Sequence, residues 1–453
     1  IYIGGDDSVF GRYGAFLGLA EQVDVGNCHR SDDALVFNNR LARAGLDRGV
    51  LSRELASTIA HEAGHLLGYE HEDGSSKGLL SGVAIDVSGE ITEDTVWDDV
   101  SEPYRITGDL KIAKGVTLTL RSGVELEIWD NQDVEVYGRL VVPDAKVGFV
   151  GSDSIRIYSG GQLELSGSTV EAGNYVGFIT VYDGGSAEIR AVAFTGSGVS
   201  LIYQSGSSGV VEGNTGADWG VTIQDASVLV RDNTLSGLRI EAASVVENNT
   251  LNQIVLRAPA TVTDNMLGWM TVDLSAADAT VTGNTFNGGT PIQLLDPDID
   301  LDPFIDNTFS AADPVIAIEG TLDGNKVLGF FGGEIGDYYA TERLTVSSGA
   351  TLTLASEVEL RVRDLRIYGR MVMPDATLRY YSSSGYDYVA VYPGGELVVS
   401  GSTIYSDSDR VYVHDGGYAE LIGATLNDVF WEYRAGSSGV VEGNTGADWG
   451  VTI

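Results

Sequence analysis

Cysteine is nearly absent from this chain of 453 residues, which contains Cys28 alone. A single thiol excludes an intramolecular disulfide framework, so burial and hydrogen bonds have to stabilise the fold. Proline is also scarce, at 9 residues, whereas glycine reaches 59. Together with many Val, Thr, Ser and Asn residues, this composition is typical of short strands and tight turns, and it predicts a mainly β protein.

Basic residues are few. Lys and Arg total 27 against 65 Asp and Glu, which gives a formal net charge of −38. A polyanion of this size repels phosphate backbones and anionic lipid headgroups, so nucleic acid and membrane surfaces are poor candidate partners. The excess of acid favours a soluble extracellular surface, with divalent cations or tolerance of high salt as the alternatives.

Long apolar runs are missing as well, and no stretch approaches the length needed to span a bilayer. The sequence begins at Ile1 without a basic-then-apolar leader, and it stops inside a repeat at Ile453. We therefore expect that a signal segment has been removed, or that the sequence is a piece of a longer polypeptide.

The first 86 residues hold four of the five histidines and one segment with a helical period, from Ser52 to Gly68. Ser52 is a plausible N-cap and Gly68 a left-handed helix stop. The apolar residues of this segment recur at spacings of four, four and three, at Leu55, Ile59, Ala63 and Leu66. This stripe predicts a helix with one face on a core.

The string HEAGHLLGYEH runs along this helix and past its end. His61 and His65 lie one turn apart on the same side, so both imidazoles can reach one ion. Glu62 lies beside such an ion, where it can take a proton from a bound water. Gly68 turns the chain back and lets His71 supply a third nitrogen, which leaves one coordination position open, as in a catalytic zinc site.

This string resembles the extended zinc motif of the metzincins, HExxHxxGxxH, with every specified position filled. The resemblance implies that His61, His65 and His71 bind Zn²⁺ and that Glu62 is the general base for peptide-bond hydrolysis. The strings GLAEQVDVGN and DDALVF resemble the family's strands above the cleft, where a protein or peptide substrate pairs. Leu80 stands where the family places a methionine in a turn under the zinc. Residues 1–86 are accordingly interpreted as an α+β, metzincin-like zinc peptidase domain that is incomplete at its N-terminus.

From about residue 90 the sequence repeats on two scales. The string GSSGVVEGNTGADWGVTI occurs at Gly206–Ile223 and again, unchanged, at Gly436–Ile453. On the smaller scale, an apolar residue, two spacers and an asparagine recur at intervals of 16 to 23 residues, with the asparagines at Asn214, Asn233, Asn249, Asn265, Asn284, Asn307 and Asn325. These intervals predict one asparagine per coil of a parallel β-solenoid, with the amides stacked into a ladder. We expect a β-helix over residues 87–337 and a duplicated, truncated block over residues 338–453.

The segment from Gly89 to Ile128 resembles the opening coils of secreted bacterial right-handed β-helix proteins, on an acidic-Thr-Val-Trp turn, a Tyr-led strand and Gly-x-Thr-Leu-Thr-Leu. The resemblance implies a right-handed parallel β-helix in an extracellular protein, secreted or held at a bacterial cell surface. A polysaccharide lyase on this solenoid is disfavoured, because the solenoid is poor in the Lys and Arg residues that would stabilise the carbanion.

Two further patterns leave alternatives open. Alternating carboxylates in DPDIDLDP, at Asp296, Asp298, Asp300 and Asp302, suit either a Ca²⁺ site or a solvated loop. A group of tyrosines, at Tyr380, Tyr381, Tyr386, Tyr388 and Tyr392, suits either a sugar-stacking stripe or ordinary strand positions.

The favoured hypothesis is a secreted zinc endopeptidase whose β-helix positions it on a matrix, a cell surface or a polysaccharide. The alternative is an extracellular structural or adhesive solenoid with a vestigial peptidase segment. Carbohydrate binding along the coils is a third possibility.

Overall fold

The structure is a computed structural model of the chain. It describes residues 84–453 apart from 101, 130, 225–226, 274–277, 333–334, 381–387 and 407–408, together with residues 2–3, 18–20, 34–36, 58–59 and 63.

Residues 2–3, 18–20 and 34–36 form one small sheet. Its central strand Ala34–Val36 is parallel to Tyr2–Ile3 and antiparallel to Gly18–Ala20. Residues 58–59 and 63, which belong to the segment predicted as a helix, are helical. These few residues do not show the predicted α+β domain of metzincin type.

From residue 84 onward the chain is a parallel β-solenoid of the right-handed type, which confirms the mainly β prediction. Each turn passes through three strand positions, which we call the first, second and third faces. Strands of the first and second faces belong to one 29-stranded sheet, whereas the third face consists of a 10-stranded and a 6-stranded sheet.

The first face carries Glu125–Ile128, Lys146–Phe149, Thr169–Ala172, Ala193–Gly196, Thr285–Phe286, Thr308–Phe309, Thr377–Tyr380, Thr403–Tyr405, Thr425–Asn427 and Thr445–Ala447. The second face carries Asp133–Val136, Ser154–Ile157, Gly177–Val181, Val199–Tyr203, Trp219–Ile223, Ile292–Leu294, Tyr388–Val391, Arg410–Val413, Phe430–Tyr433 and Gly450–Thr452. Longer strands cross from the first face to the second at Ile85–Ile91, Tyr104–Ile112, Thr234–Ile240, Thr250–Leu256, Met266–Val272, Asp337–Val346 and Glu359–Ile367. Two short strands, Ile316–Ile318 and Gly320–Leu322, pair with the two halves of Asp337–Val346.

The third face is built from two sets of strands. Its 10-stranded sheet contains Thr95–Trp97, Thr117–Leu120, Arg139–Pro143, Gln162–Ser166, Ser186–Arg190, Ser208–Glu212, Ser227–Arg231, Val245–Glu247, Thr261–Thr263 and Thr280–Thr282. Its 6-stranded sheet contains Asn325–Leu328, Thr351–Leu354, Arg370–Pro374, Glu396–Ser400, Tyr418–Ile422 and Ser438–Glu442.

Alternation of side chains along each strand creates the core. In Thr117–Leu120 the threonines are partly exposed and both leucines are fully buried. The parallel register places Leu118, Leu140 and Leu163 directly above one another in successive turns. Because every turn repeats this pattern, the buried apolar residues form one continuous cluster from Trp97 to Tyr433.

Asparagine side chains connect successive turns at the corner between the third and first faces. The Oδ1 atom of Asn233 accepts hydrogen bonds from the backbone N–H of Asn214 at 3.0 Å and from its Nδ2 at 2.9 Å. The same pair of bonds repeats onward through Asn249, Asn265, Asn284 and Asn307. The predicted ladder is therefore confirmed for six residues, whereas Asn325 is exposed at the start of a third-face strand and lies outside it.

A loop interrupts the third face between Thr280–Thr282 and Asn325–Leu328, and it contains the 3-10 helix Asp302–Phe304. The carboxylate of Asp298 accepts hydrogen bonds from the backbone N–H groups of Asp323 and Gly324 at 2.8 and 2.9 Å. The Asp298 carboxylate thus accepts hydrogen bonds from backbone N–H groups at a position where, among the described residues, no third-face strand lies alongside to supply carbonyl acceptors.

We call residues 87–337 the first block and residues 338–453 the second block, and the two repeat a local packing detail. The hydroxyl of Tyr203 donates to the carbonyl of Ala187 at 3.2 Å, and that of Tyr433 donates to Ala419 at 3.0 Å. A Cβ atom at Gly209 would lie 2.5 Å from the ring of Tyr203, so only glycine fits beside this tyrosine. Burial raises the pKa of Tyr433 to about 12.

Candidate binding site on the solenoid surface

The residues predicted to form a zinc site are His61, Glu62, His65 and His71, with Gly68 and Leu80 as the turns of the site. All six lie outside the described residues. Among the residues that the structure describes, no group of three or more His, Cys, Asp or Glu side chains is arranged to hold a metal ion.

The alternating aspartates predicted as a Ca²⁺ site lie in the loop that interrupts the third face. Asp296 accepts from the backbone N–H of Asp298 at 2.8 Å, and Asp300 accepts from that of Asp302 at 3.2 Å. The ammonium of Lys326 is hydrogen-bonded to the carbonyl of Ile299. Burial lowers the pKa of Lys326, and the four aspartates oppose this effect. The carboxylates thus contact backbone N–H groups and face a lysine, and Ca²⁺ binding stays a prediction.

The predicted tyrosine stripe is divided between different environments. Tyr380 is buried and its hydroxyl donates to the carbonyl of Arg410 at 3.3 Å. Tyr388 begins the second-face strand Tyr388–Val391, and Tyr392 is the first residue after that strand. Both side chains are partly exposed. The other two tyrosines, 381 and 386, lie outside the described part of the chain.

Aromatic rings stack along the corner that follows the second face. Tyr158 lies between Tyr137 and Tyr182, with ring centroids 4.7 and 4.9 Å away and planes within 8°. In the second block Tyr392 lies between Tyr368 and His414, at 4.4 and 4.8 Å. Because the rings cover one another's faces, these stacks offer mainly ring edges to a ligand, and their geometry stabilises the corner.

A groove opens where the long strand Asp337–Val346 crosses between the first and second faces. Its pairing with Glu359–Ile367 shifts between Ala340 and Arg343, so this strand has one residue more than its neighbour at the corner. Such a bulge bends the strand and redirects its side chains. The resulting groove has a volume of about 590 Å³, within the range of small-molecule sites, and it is lined by Glu319, Gly320, Glu342, Arg343, Arg363, Asp364 and Tyr388.

Ion pairs hold the floor of this groove in place. The carboxylate of Asp364 accepts from Nε of Arg343 at 2.6 Å and from Nε of Arg366 at 3.1 Å. The side chain of Asp364 is 16% exposed, whereas that of Arg343 is 55% exposed. Asp364 therefore fixes the position of Arg343, while more than half of the Arg343 side chain stays exposed to solvent.

Hydrogen bonds also fix the two ends of the groove. Glu319 accepts from Nε2 of Gln293 and from the hydroxyl of Thr341, both at 3.2 Å. At the other end Arg366 donates to the hydroxyl of Tyr388, and its guanidinium carbon lies 5.6 Å from the centre of that ring. The groove thus presents carboxylates, guanidinium groups and one phenol from four strand or turn positions, and hydrogen bonds restrict the side chains of Glu319, Arg343, Asp364 and Tyr388.

Sequence reasoning found Tyr388 but not the rest of this groove. One signal was present: the first block reads IWDNQDV between its two strand halves, whereas the second block reads VRDL. The second block therefore has no counterpart of the turn at Trp129, and its shorter corner lies directly beside the bulge of the preceding strand. This corner carries Arg363 and Asp364.

No family model matches the chain, and no curated protein matches it. Among solved structures it is similar to the crystal structure of a TibC-catalyzed hyper-glycosylated TibA fragment. The identity is 15%, the match covers 82% of this chain and 97% of that chain, and the TM-score is 0.24. No helix in the described residues is long and apolar enough to cross a membrane.

The identification of the chain as a metzincin-type zinc metallopeptidase fused to a β-helix is wrong on these findings. The described part from residue 84 consists of strands and turns with a single short 3-10 helix, and the described residues contain no group of side chains arranged to hold a metal ion. The motif was an insufficient basis for this identification, because the spacing of histidines in a sequence does not by itself place their side chains around one ion. A zinc site also needs a surrounding fold that brings three ligands to about 2.0 Å from one ion.

Proposed function

We propose that this chain is an extracellular structural or adhesive β-solenoid, secreted or held at a bacterial cell surface. One observation carries the proposal: a single parallel sheet continues through all turns from Ile85–Ile91 to Gly450–Thr452. Because each turn pairs with the turns on both sides, the solenoid is a rigid rod whose outer faces extend over its whole length. Such a rod displays many surface positions at once and suits attachment better than a single enclosed reaction site.

The surface chemistry supports the same function. Many of the outward charged residues form ion pairs between adjacent turns, as in Arg139 with Glu164 at 2.6 Å and Lys146 with Glu125 at 2.6 Å. The net charge of −38 keeps such a rod soluble and separate from other copies. The proposed partners are uncharged or cationic polymers of an extracellular matrix, including polysaccharides.

Peptidase activity, the Zn²⁺ site and a peptide substrate are not part of this proposal. They depend on His61, Glu62, His65 and His71, which lie outside the described residues. Ca²⁺ binding likewise stays a prediction from the sequence.

Retention on coated beads tests the adhesive function. Purified chain is passed over beads that carry neutral, cationic or acidic polysaccharides or extracellular matrix proteins, and bound protein is quantified. We expect retention on at least one neutral or cationic coating, and no retention of chain that has been unfolded in denaturant. Absence of retention on every coating, with the folded state verified by circular dichroism, would contradict the adhesive function.

A further inference from the structure

We infer that the groove between Glu319, Arg343 and Tyr388 is a binding site for a neutral oligosaccharide or for a segment of a neutral polysaccharide. The inference rests on the proposed adhesive function and names the surface and the class of ligand. It depends on the position, the charge balance and the hydrogen-bonding groups of the groove.

The charges of the groove lining nearly cancel, although the chain as a whole is strongly acidic. Three carboxylates contribute, from Glu319, Glu342 and Asp364. Two guanidinium groups, from Arg343 and Arg363, oppose them and leave a formal net charge of −1 on the lining. A site with so small a net charge attracts neither anions nor cations strongly, so a neutral polar ligand fits it best.

The polar groups of the groove match vicinal hydroxyl groups. A carboxylate accepts two hydrogen bonds side by side, and a guanidinium donates two in a planar fork. Adjacent hydroxyls on a sugar ring present donors and acceptors at similar spacing and without charge. Tyr388 supplies the aromatic surface of the lining, which can contact the apolar face of a sugar ring.

A peptide ligand fits the groove less well. An extended peptide binds a sheet by pairing with a free edge strand. Here Asp337–Val346 pairs with Ile316–Ile318 and Gly320–Leu322 on one side and with Glu359–Ile367 on the other. No edge is therefore open at this position, and the lining contains no aliphatic pocket for a peptide side chain.

Two backbone features shape this site. Gly320 has φ of +107°, and a Cβ atom there would lie 2.9 Å from the carbonyl of Leu295. Only glycine therefore fits at this corner without displacing the backbone of Leu295. In the next turn the extra residue of the bulge lies at positions 341 and 342, and Glu342 is exposed there.

Titration with defined oligosaccharides tests the inference. The probes are cellohexaose, mannohexaose, maltohexaose and laminarihexaose as neutral ligands and hexagalacturonate as the charged comparison, with binding followed by ligand-observed NMR. We expect at least one neutral hexasaccharide to bind, and hexagalacturonate to bind at least about tenfold more weakly. Arg343→Ala and Glu342→Ala should each weaken binding about tenfold, which corresponds to loss of one charge-assisted hydrogen bond.

Arg139→Ala is the matched control. Arg139 is also an exposed arginine in an ion pair with a carboxylate of an adjacent turn, but it lies on the third face of the first block. This variant should bind the hexasaccharide like the unmodified chain. Circular dichroism and melting temperature verify that each variant is folded.

The outcomes separate this inference from the adhesive function. The groove assignment is overturned if no neutral hexasaccharide binds up to about 10 mM, or if binding survives both groove substitutions. In that case the adhesive function is still tested separately by retention on the coated beads. If a hexasaccharide binds through Arg343 and Glu342 but the chain is retained on no coating, the groove assignment holds and the adhesive function is contradicted.

Discussion

Buried asparagine is the residue that connects the turns most directly. Asn249 accepts hydrogen bonds from the backbone N–H and the Nδ2 of Asn233, and its own Nδ2 donates to the carbonyl of Val230 at 3.0 Å. Each amide therefore satisfies groups of the turns before and after it. Since Asn249 is 1% exposed, water cannot replace these bonds.

We expect Asn249→Ala to lower the free energy of unfolding by about 3 kcal/mol or more. The substitution leaves buried N–H groups of Asn233 and the carbonyl of Val230 without partners, at about 1–3 kcal/mol each. Urea unfolding followed by circular dichroism measures the change. Asn325→Ala is the control, because Asn325 is exposed, and we expect a change within about 0.5 kcal/mol. Equal losses in the two variants would show that the ladder does not stabilise the fold.

His414 is a titratable residue whose environment favours the neutral ring. Burial lowers its pKa, the guanidinium of Arg434 lowers it further, and Glu432 opposes both. Arg434 donates a hydrogen bond to Nδ1 of His414 at 3.1 Å. An imidazolium carries a proton on Nδ1 and cannot accept this bond, so the contact requires the neutral ring.

The lowered pKa of His414 predicts a pH effect of defined sign. The folded state binds this proton more weakly than the unfolded chain, so stability decreases as pH falls from about 6.5 towards the lower folded value. Above about pH 6.5 both states are neutral and the effect is absent. His414→Gln should reduce the loss of stability between neutral and mildly acidic pH, measured by urea unfolding. An NMR titration in which the His414 pKa lies above about 6.5 would contradict this assignment.

At the scale of structural elements, the stacked corners distinguish this solenoid from a simple repeat of strands. The stack Tyr137, Tyr158 and Tyr182 in the first block corresponds to Tyr368, Tyr392 and His414 in the second. These aromatic residues are followed by glycine within three positions, which lets the chain turn onto the third face. The sequence carried this signal, but its spacing of more than 20 residues hid the contact between the rings.

We expect Tyr158→Ala to lower the free energy of unfolding by about 1–3 kcal/mol, because the ring is stacked on both sides and each aromatic pair contributes about 0.5–1.5 kcal/mol. Tyr175→Ala is the control. Tyr175 is 59% exposed, so its loss should change stability by no more than about 0.5 kcal/mol. Thermal and urea unfolding of both variants provide the comparison. A larger effect at Tyr175 would indicate that the stack contributes little.

The bulged crossing strand shows why the candidate groove escaped prediction. The alternation in Asp337–Val346 predicts which residues face the core, since inward and outward positions alternate in any strand. It does not predict that Thr341 and Glu342 project as a bulge, because that depends on the shorter corner of the next turn. Register between strands 20 residues apart is a tertiary property.

At the scale of the whole molecule, repulsion between carboxylates opposes folding. The net charge is −38, and exposed ion pairs such as Arg139 with Glu164 offset only part of it. Exposed pairs contribute about 0–1 kcal/mol each, whereas the surplus charge acts over the entire rod.

We therefore expect the melting temperature to rise as NaCl is increased from about 10 mM to about 0.3 M, because the Debye length falls from about 30 Å to below 8 Å. A variant with two exposed carboxylates neutralised, Glu93→Gln with Asp278→Asn, should melt higher than the unmodified chain at low salt and show a smaller salt effect. Differential scanning calorimetry measures both. A melting temperature that falls with added NaCl would show that ion pairs outweigh the repulsion.

The solenoid and its ladder were predictable from the sequence, because alternation along a strand and the return of asparagine at one corner are local patterns that recur from turn to turn. The metzincin resemblance of residues 61–71 was also local, and nothing in the described fold supports it. Tertiary structure decided the stacked rings, the groove and the degree of burial. Val211 is 0% exposed because it lies between Ile189 of the preceding turn and Val230 of the following turn. Burial in a stack therefore depends on neighbouring turns rather than on the residues of the turn itself.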